Sequence, residues 1–168
     1  GQASNPKWFL QRKSRITASK ARAIWKAKKP STLLNAFLTS PADNKHLQYG
    51  RELEPLAREA YEKLTGYKVI EVGVVIKTEM PFIAASPDGI CVQDGQFHIL
   101  EIKCPSSCAN KSIEVDYVDS NNNLKMSHPY YAQAQLQLFC CNAKYCHFFI
   151  YSKSDHKLVT VEKDDAWI

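Results

Sequence analysis

The sequence predicts an α+β domain in which helices flank a central mixed sheet, and three observations carry that expectation. Apolar residues recur at helical spacing through the N-terminal third and again after Pro129. Runs rich in β-branched and aromatic residues cluster around 67–103 and after Lys144. Gln93-Asp94-Gly95-Gln96 separates two apolar runs, and Asp-Gly is a hairpin-type turn signal. A length of 168 residues with 45% hydrophobic content suits one core, so we read 1–168 as a single domain. Within it, a basic helical segment spans about 5–29 and the core about 44–162.

Taken in order, Thr17 is placed to cap a helix through about Ala27, and Pro30-Ser31 to introduce a second through Leu38. Asn44 to Leu64 reads as a longer helix closed by Gly66. Tyr67 to Lys77 reads as a strand. Ile83-Ala84-Ala85 leads into Ser86-Pro87-Asp88-Gly89, Ile90-Cys91-Val92 leads to the turn, and Phe97-His98-Ile99-Leu100 returns as the partner strand. Ser107 to Met126, centred on Asn121-Asn122-Asn123, has weak periodicity and reads as a loop or a partner-facing insertion. Pro129 starts a helix through about Cys141, and Lys144–Ser152 and Lys157–Glu162 finish as strands.

The net charge of +5 is unevenly spread. The first thirty residues hold nine basic side chains and no acid, leaving 13 bases against 17 acids for the rest. A polyanion would approach from that end. Aromatic and aliphatic residues such as Trp8, Phe9, Ile16 and Ile24 interleave with the charges, which suits amphipathic helices better than a basic tail or a transit peptide. No apolar run reaches the roughly twenty residues of a membrane span and no secretory signal is visible, so the expectation is a soluble intracellular protein, with cytoplasm or nucleus left open. The six cysteines form no C-x-x-C pair and read as reduced thiols. A zinc site from Cys104, Cys108, Cys146 and His147 can be drawn but is not favoured. His98 and His128 read as structural or surface residues, not catalytic ones.

Chemistry is concentrated around the hairpin. Successive strand side chains alternate faces, so Glu101 and Lys103 share one face while Ile102 points the other way. The hairpin can bring Asp88 beside them. Two carboxylates held close repel and call for a cation, and an oxygen-only set suits Mg²⁺ or Mn²⁺ better than Zn²⁺. Such an ion can polarise a phosphodiester and acidify a water, with Lys103 positioning that water or meeting developing negative charge. The plain alternative is an ordinary surface ion pair, Glu101 with Lys103, because a bare D…ExK pattern is common. Glu54 with Arg58 and Glu59 with Lys63 have the i, i+4 spacing of exposed helix pairs. Among Gln133, Gln135 and Gln137, spacing does not choose.

Five separated motifs extend the pattern. They are Trp8-x3-Arg12 followed by Ile16-Thr17-Ala18-Ser19, Gly50-x3-Glu54-x2-Ala57-Arg58, Ser86-Pro87-Asp88-Gly89, Leu100-Glu101-Ile102-Lys103-Cys104-Pro105, and Tyr130-x2-Gln133-x-Gln135. From Trp8 to about Tyr151 the sequence resembles the PD-(D/E)xK nuclease superfamily, and within it the phage lambda exonuclease and YqaJ viral recombinase group. The resemblance implies an α/β/α restriction-endonuclease-like core with a catalytic hairpin. It implies Asp88 and Glu101 as metal-binding carboxylates, the Ile102 carbonyl as a further ligand, and Lys103 as the catalytic lysine. Glu54 would reach into the site and Gln133 would support it. Arg12 with Ser19 would capture a terminal 5′-phosphate, Ser86 would contact the backbone, and Trp8 would lie near the DNA end.

The implied activity is a Mg²⁺-dependent 5′→3′ exonuclease on duplex DNA ends, with two ions per site and Mn²⁺ able to substitute. No iron-sulfur cluster is expected, since nothing precedes Cys91 in the way that cluster-bearing relatives require. A structure-selective endonuclease and a catalytically retired nucleic-acid-binding module are the alternatives. An annealing protein and a trimer are implied partners, and the resemblance implies a longer chain than one ending at Ile168, an excised domain or a minimal version.

Overall fold

The computed structural model describes residues 5–29, 31 and 44–167. Helix α1 (Pro6–Lys13) starts where the Asn5 side chain accepts from the Lys7 N–H at 3.0 Å, with Pro6 in the first turn and Arg12 and Lys13 in the last. It buries no residue fully. The expected helix from Thr17 is a correction. Ile16–Thr17 forms strand β1, parallel to residues 83–84, and helix α2 (Ala21–Trp25) begins only after a 3₁₀ turn over Ala18–Lys20. Two adjacent β-branched residues favour the extended ladder, and the Thr17 hydroxyl lies 3.3 Å from Ser19 Oγ instead of capping a helix. Apart from Ser31, the expected second helix lies outside the described residues.

Helix α3 (Lys45–Thr65) is bounded as its sequence signals require. Asn44 accepts from the Leu47 N–H at 3.0 Å, and Gly66 closes the other end at φ 76°, a conformation that favours glycine. Its buried stripe is Leu53, Ala57 and Tyr61, one residue per turn. The segment after it is a second correction. Tyr67 to Lys77 is not one strand: Ile70 makes a single bridge to Ile90, and only Val75–Ile76 (β2) forms a ladder, in another sheet. The segment passes from one sheet to the other, so its β-branched residues serve one bridge and then one short ladder.

Strand β3 (Ile83–Ala85) lies between β1 and β2 in a small sheet. Strands β4 (Gly89–Gln93) and β5 (Gln96–Lys103) form the expected hairpin, with Asp94 and Gly95 both at positive φ, 49° and 75°. Helix α4 (Pro129–Cys141) follows, capped by His128, whose ring accepts from the Tyr130 N–H at 3.2 Å. Strands β6 (Tyr145–Tyr151) and β7 (His156–Glu162) complete a four-stranded sheet of order β4-β5-β6-β7, in which β5 and β6 are parallel. This α+β architecture with mixed pairing agrees with expectation.

The large sheet is covered on both faces, and strand alternation sorts its side chains. Ile99, Cys146, Phe148 and Ile150 pack with Ala134 and Leu138 of α4, while Leu100, Ile102 and Phe149 pack with Ala57 and Tyr61 of α3. Helix α4 also touches β3 and α2, so it lies between the two sheets, with residues buried around most of its circumference. Residues 107–126 form a loop, as expected, but not one that projects outward. Cys108, Ile113, Tyr117, Val118 and Leu124 are buried in the α4-side cluster, which replaces the reading as a partner-facing insertion. Their irregular spacing hides this from periodicity.

A chain of polar groups crosses the α3-side core. Tyr61 Oη lies 3.1 Å from Cys91 Sγ and 2.5 Å from His147 Nδ1, and His147 Nε2 lies 3.1 Å from His98 Nδ1. Donation along this chain can run in either direction, because the thiol, the hydroxyl and each neutral imidazole can both donate and accept. Burial, then the neighbouring His98, lowers the His147 pKa to about 4.

Candidate active site

The site grows from the place where β4 begins. Gly89 pairs with Leu100, so the Ile102 N–H lies one step beyond the end of β4, and Asp88 Oδ2 accepts it at 2.7 Å. The Asp88 N–H donates to the Leu100 carbonyl at 2.9 Å, continuing the ladder and fixing the carboxyl. Gly89 is needed for close approach: a Cβ there would lie 2.4 Å from Val69 Cγ1.

Glu101 lies on the α4 face of β5, only 3% exposed. Gln133 Nε2 donates to its Oε1 at 2.5 Å, Gln137 Nε2 donates to its Oε2 at 2.6 Å, and Lys103 pairs with Oε1. Gln133 and Gln137 are four apart on α4, which puts both amides on one helix face. Gln135, on another face, donates to the Glu162 carbonyl and accepts from the Asp164 N–H, a structural role. Lys103 Nζ also lies 4.8 Å from the centre of the Tyr130 ring.

Electrostatics follows from this crowding. Burial, then the charge of Glu101, pushes the Asp88 carboxyl well above the usual range. Burial alone would lower the Lys103 pKa, but Glu101 and Asp88 outweigh it and hold the ammonium above the ordinary lysine value. Glu54, partly exposed, is raised by burial, while Arg58, with Nη2 2.8 Å from its Oε1, opposes that rise. Arg58 also reaches Glu71 Oε1 at 2.8 Å through Nη1, tying α3 to the segment that crosses between the sheets.

The N-terminal segment supplies the other wall. Trp8 Nε1 donates to Ser86 Oγ at 3.1 Å, the Arg12 guanidinium lies 4.3 Å from the Trp8 ring centre, and Arg12 Nη2 donates to Ser19 Oγ at 3.1 Å. Burial lowers the Arg12 pKa, and the charges of Glu101 and Asp88 oppose that. All of these groups line one cleft of about 610 Å³. Trp8, Arg12, Ser19, Glu54, Ser86, Asp88, Glu101, Ile102, Lys103 and Gln133, the ten residues singled out in the sequence, all border it. Sequence reasoning missed Gln137 and the tether made by Arg58. The signal for Gln137 was its spacing from Gln133 on a mostly apolar helix.

The donor set fits a hard divalent cation. Asp88 and Glu101 supply carboxylate oxygens only, and a cation would offset the burial and the Glu101 charge that together raise the Asp88 pKa. Among the described residues, no three His, Cys, Asp or Glu side chains gather into a closed cage. The drawn zinc set is not assembled: Cys108 and Cys146 are buried in the α4-side cluster, whereas Cys104 packs on the α3 side and His147 bonds to Tyr61 there. His98 and His128 take structural places, in the polar chain and at the cap of α4. Among the described residues, no helix is long and apolar enough to cross a membrane.

A family model described as the YqaJ-like viral recombinase domain matches residues 7–144. The uncharacterized protein R354 of Acanthamoeba polyphaga mimivirus is 26% identical over 88% of this chain, and the chain spans 28% of that relative's length. The crystal structure of the alkaline exonuclease LHK-Exo from Laribacter hongkongensis is similar with a TM-score of 0.77 and 28% identity, covering 97% of this chain and 84% of that one. Its complex with dAMP matches with the same TM-score and identity over 96% of this chain and 84% of that one. A phage-related exonuclease from Haemophilus somnus 129PT shares the fold, with a TM-score of 0.56 and 13% identity over 90% of this chain and 86% of that one.

Proposed function

Since the chain belongs to the family of YqaJ-like viral recombinase domains, we propose that it is a Mg²⁺-dependent deoxyribonuclease that digests one strand of duplex DNA 5′→3′ from a phosphorylated end. One observation supports this above others: two carboxylates and a lysine meet in a cleft whose other wall holds a partly buried guanidinium. The similarity to an alkaline exonuclease, which also has a solved complex with dAMP, supports the same reading.

Asp88, Glu101 and the Ile102 carbonyl would hold the ions, two per site by family resemblance, with Mn²⁺ a substitute. A bound divalent cation supplies positive charge at the scissile phosphate and makes a water more acidic. Lys103, held beside Glu101 as an ion pair, would position the attacking water or place its N–H groups against developing negative charge. Gln133 keeps the Glu101 carboxylate in place, and Glu54 extends the acidic wall from α3. Arg12 and Ser19, with Ser86 beside them, take the terminal phosphate, and Trp8 backs the guanidinium. Water attacks in line, the 3′-oxygen leaves, and a 5′-mononucleotide is released. The exposed 3′ strand would pass to an annealing protein, and a trimer is the assembly that the resemblance suggests.

The test incubates the protein with linear duplex bearing a 5′-phosphate or a 5′-hydroxyl, in Mg²⁺ or EDTA, beside Lys103→Ala. Mg²⁺-dependent mononucleotide release, faster from the phosphorylated end and lost in the variant, is the expected result. Cleavage of a covalently closed circle would redirect the reading to an endonuclease. Intact duplex binding without cleavage in any condition would leave a retired binding module.

A further inference from the structure

The two amides on Glu101 are not equivalent. Each carboxylate oxygen has two lone-pair directions. Oε1 accepts from both Gln133 and Lys103 and is saturated, whereas Oε2 accepts from Gln137 alone among the described residues. Oε2 is therefore the oxygen with a direction left for a cation. Gln137 is only 1% exposed, and its own Oε1 is buried without a hydrogen-bond partner among the described residues, although the residue borders the cleft. Turning the amide over would bring that oxygen against Oε2, acceptor to acceptor, so the carboxylate itself dictates the orientation.

We propose that Gln137 is a positioning residue for the cation, orienting the ligating oxygen of Glu101, and that its unpaired carbonyl accepts a hydrogen bond from a water at the cleft floor. Gln133 serves a different purpose, sharing Oε1 with Lys103 and so holding the ion pair. The inference rests on the metal-dependent reading above and goes beyond it by dividing the labour between two glutamines.

Mn²⁺ binding to DNA-free protein, followed by the loss of the free-ion electron paramagnetic resonance signal, tests this without turnover. Gln137→Met keeps the side-chain length and removes the donor; it should weaken Mn²⁺ binding by about 10-fold or more, in line with partners that orient a metal ligand. Gln133→Met should weaken it by clearly less. Melting in EDTA reports folding, and Gln137→Asn, whose shorter amide falls short of Oε2, should repeat the loss if the methionine variant does not fold. Gln135→Met should leave Mn²⁺ affinity unchanged. Unchanged affinity in a folded Gln137 variant, or an equal or larger loss in Gln133→Met, overturns the proposal. Wild-type cleavage is measured in parallel: a protein that binds Mn²⁺ without cutting DNA sinks the nuclease reading alone, and one that binds no Mn²⁺ sinks both.

Discussion

Acid should destabilise this fold through His147, and the size of the effect follows from the structure. The imidazole is 5% exposed, bonded to Tyr61 at one nitrogen and facing His98 at the other. Its pKa falls from the ordinary 6.5 to about 4, first through burial and then through His98. Above pH 6.5 the ring is neutral whether the chain is folded or not, and nothing changes. As pH falls below 6.5, the unfolded chain takes the proton first, so unfolding gains, and the loss saturates near pH 4. At about 1.4 kcal/mol for each tenfold change, the full span is worth up to about 3 kcal/mol, most of it spent by about pH 5. For a chain of this size that is on the order of 6–12 °C in Tm. Asp88, whose pKa is raised, acts in the opposite sense over part of this range, so the informative quantity is a difference between variants. Urea unfolding in EDTA at pH 7.5 and pH 5 should show the wild type losing about 2 kcal/mol more than His147→Gln. An identical loss in the two proteins would refute the reasoning.

Three further outcomes are expected. Lys103→Ala should retain the fold and lose about 100- to 1,000-fold in the rate of duplex cleavage at saturating Mg²⁺, the usual range for removing a charge-stabilising donor. Arg12→Ala should erase the preference for 5′-phosphate over 5′-hydroxyl ends, read as the ratio of kcat/KM on the two substrates; a preserved ratio would remove Arg12 from the end-binding role. Gly89→Ala must displace Val69, which a new Cβ would approach to 2.4 Å, and should cost about 1–3 kcal/mol in thermal unfolding.

Features decided locally were the ones legible in the sequence. Asp94-Gly95 and the alternation on either side define the hairpin, and Asn44, Gly66 and Pro129 mark helix ends, because each acts on its own few residues. The same alternation puts Glu101 and Lys103 on one face. It did not show that this face is buried, since α4 covers it from 30 residues away and turns an open-faced pair into one enclosed by amides. Thr17 and the 67–77 segment were misread because partners distant in sequence, Ala84 and Ile90 among them, overrode local preference. The grouping of Trp8, Arg12 and Ser86 was visible only through family resemblance; physically it depends on β1 pairing with β3. Gln137 needed the carboxylate it grips to be placed first.

Strand β5 leaves no room for a folded but miswired molecule. Glu101 and Lys103 alternate with Leu100 and Ile102, and both faces are covered, so a slip of one residue would drive an acid and a lysine into the apolar layer beneath α3 and carry two aliphatic chains into the cleft. Correct register of β5 and delivery of Glu101 and Lys103 to the cleft are therefore the same event. A refolding experiment on this protein could use the burial of Leu100 and Ile102 or the pairing of Glu101 with Lys103 as its clock, and the two should keep the same time.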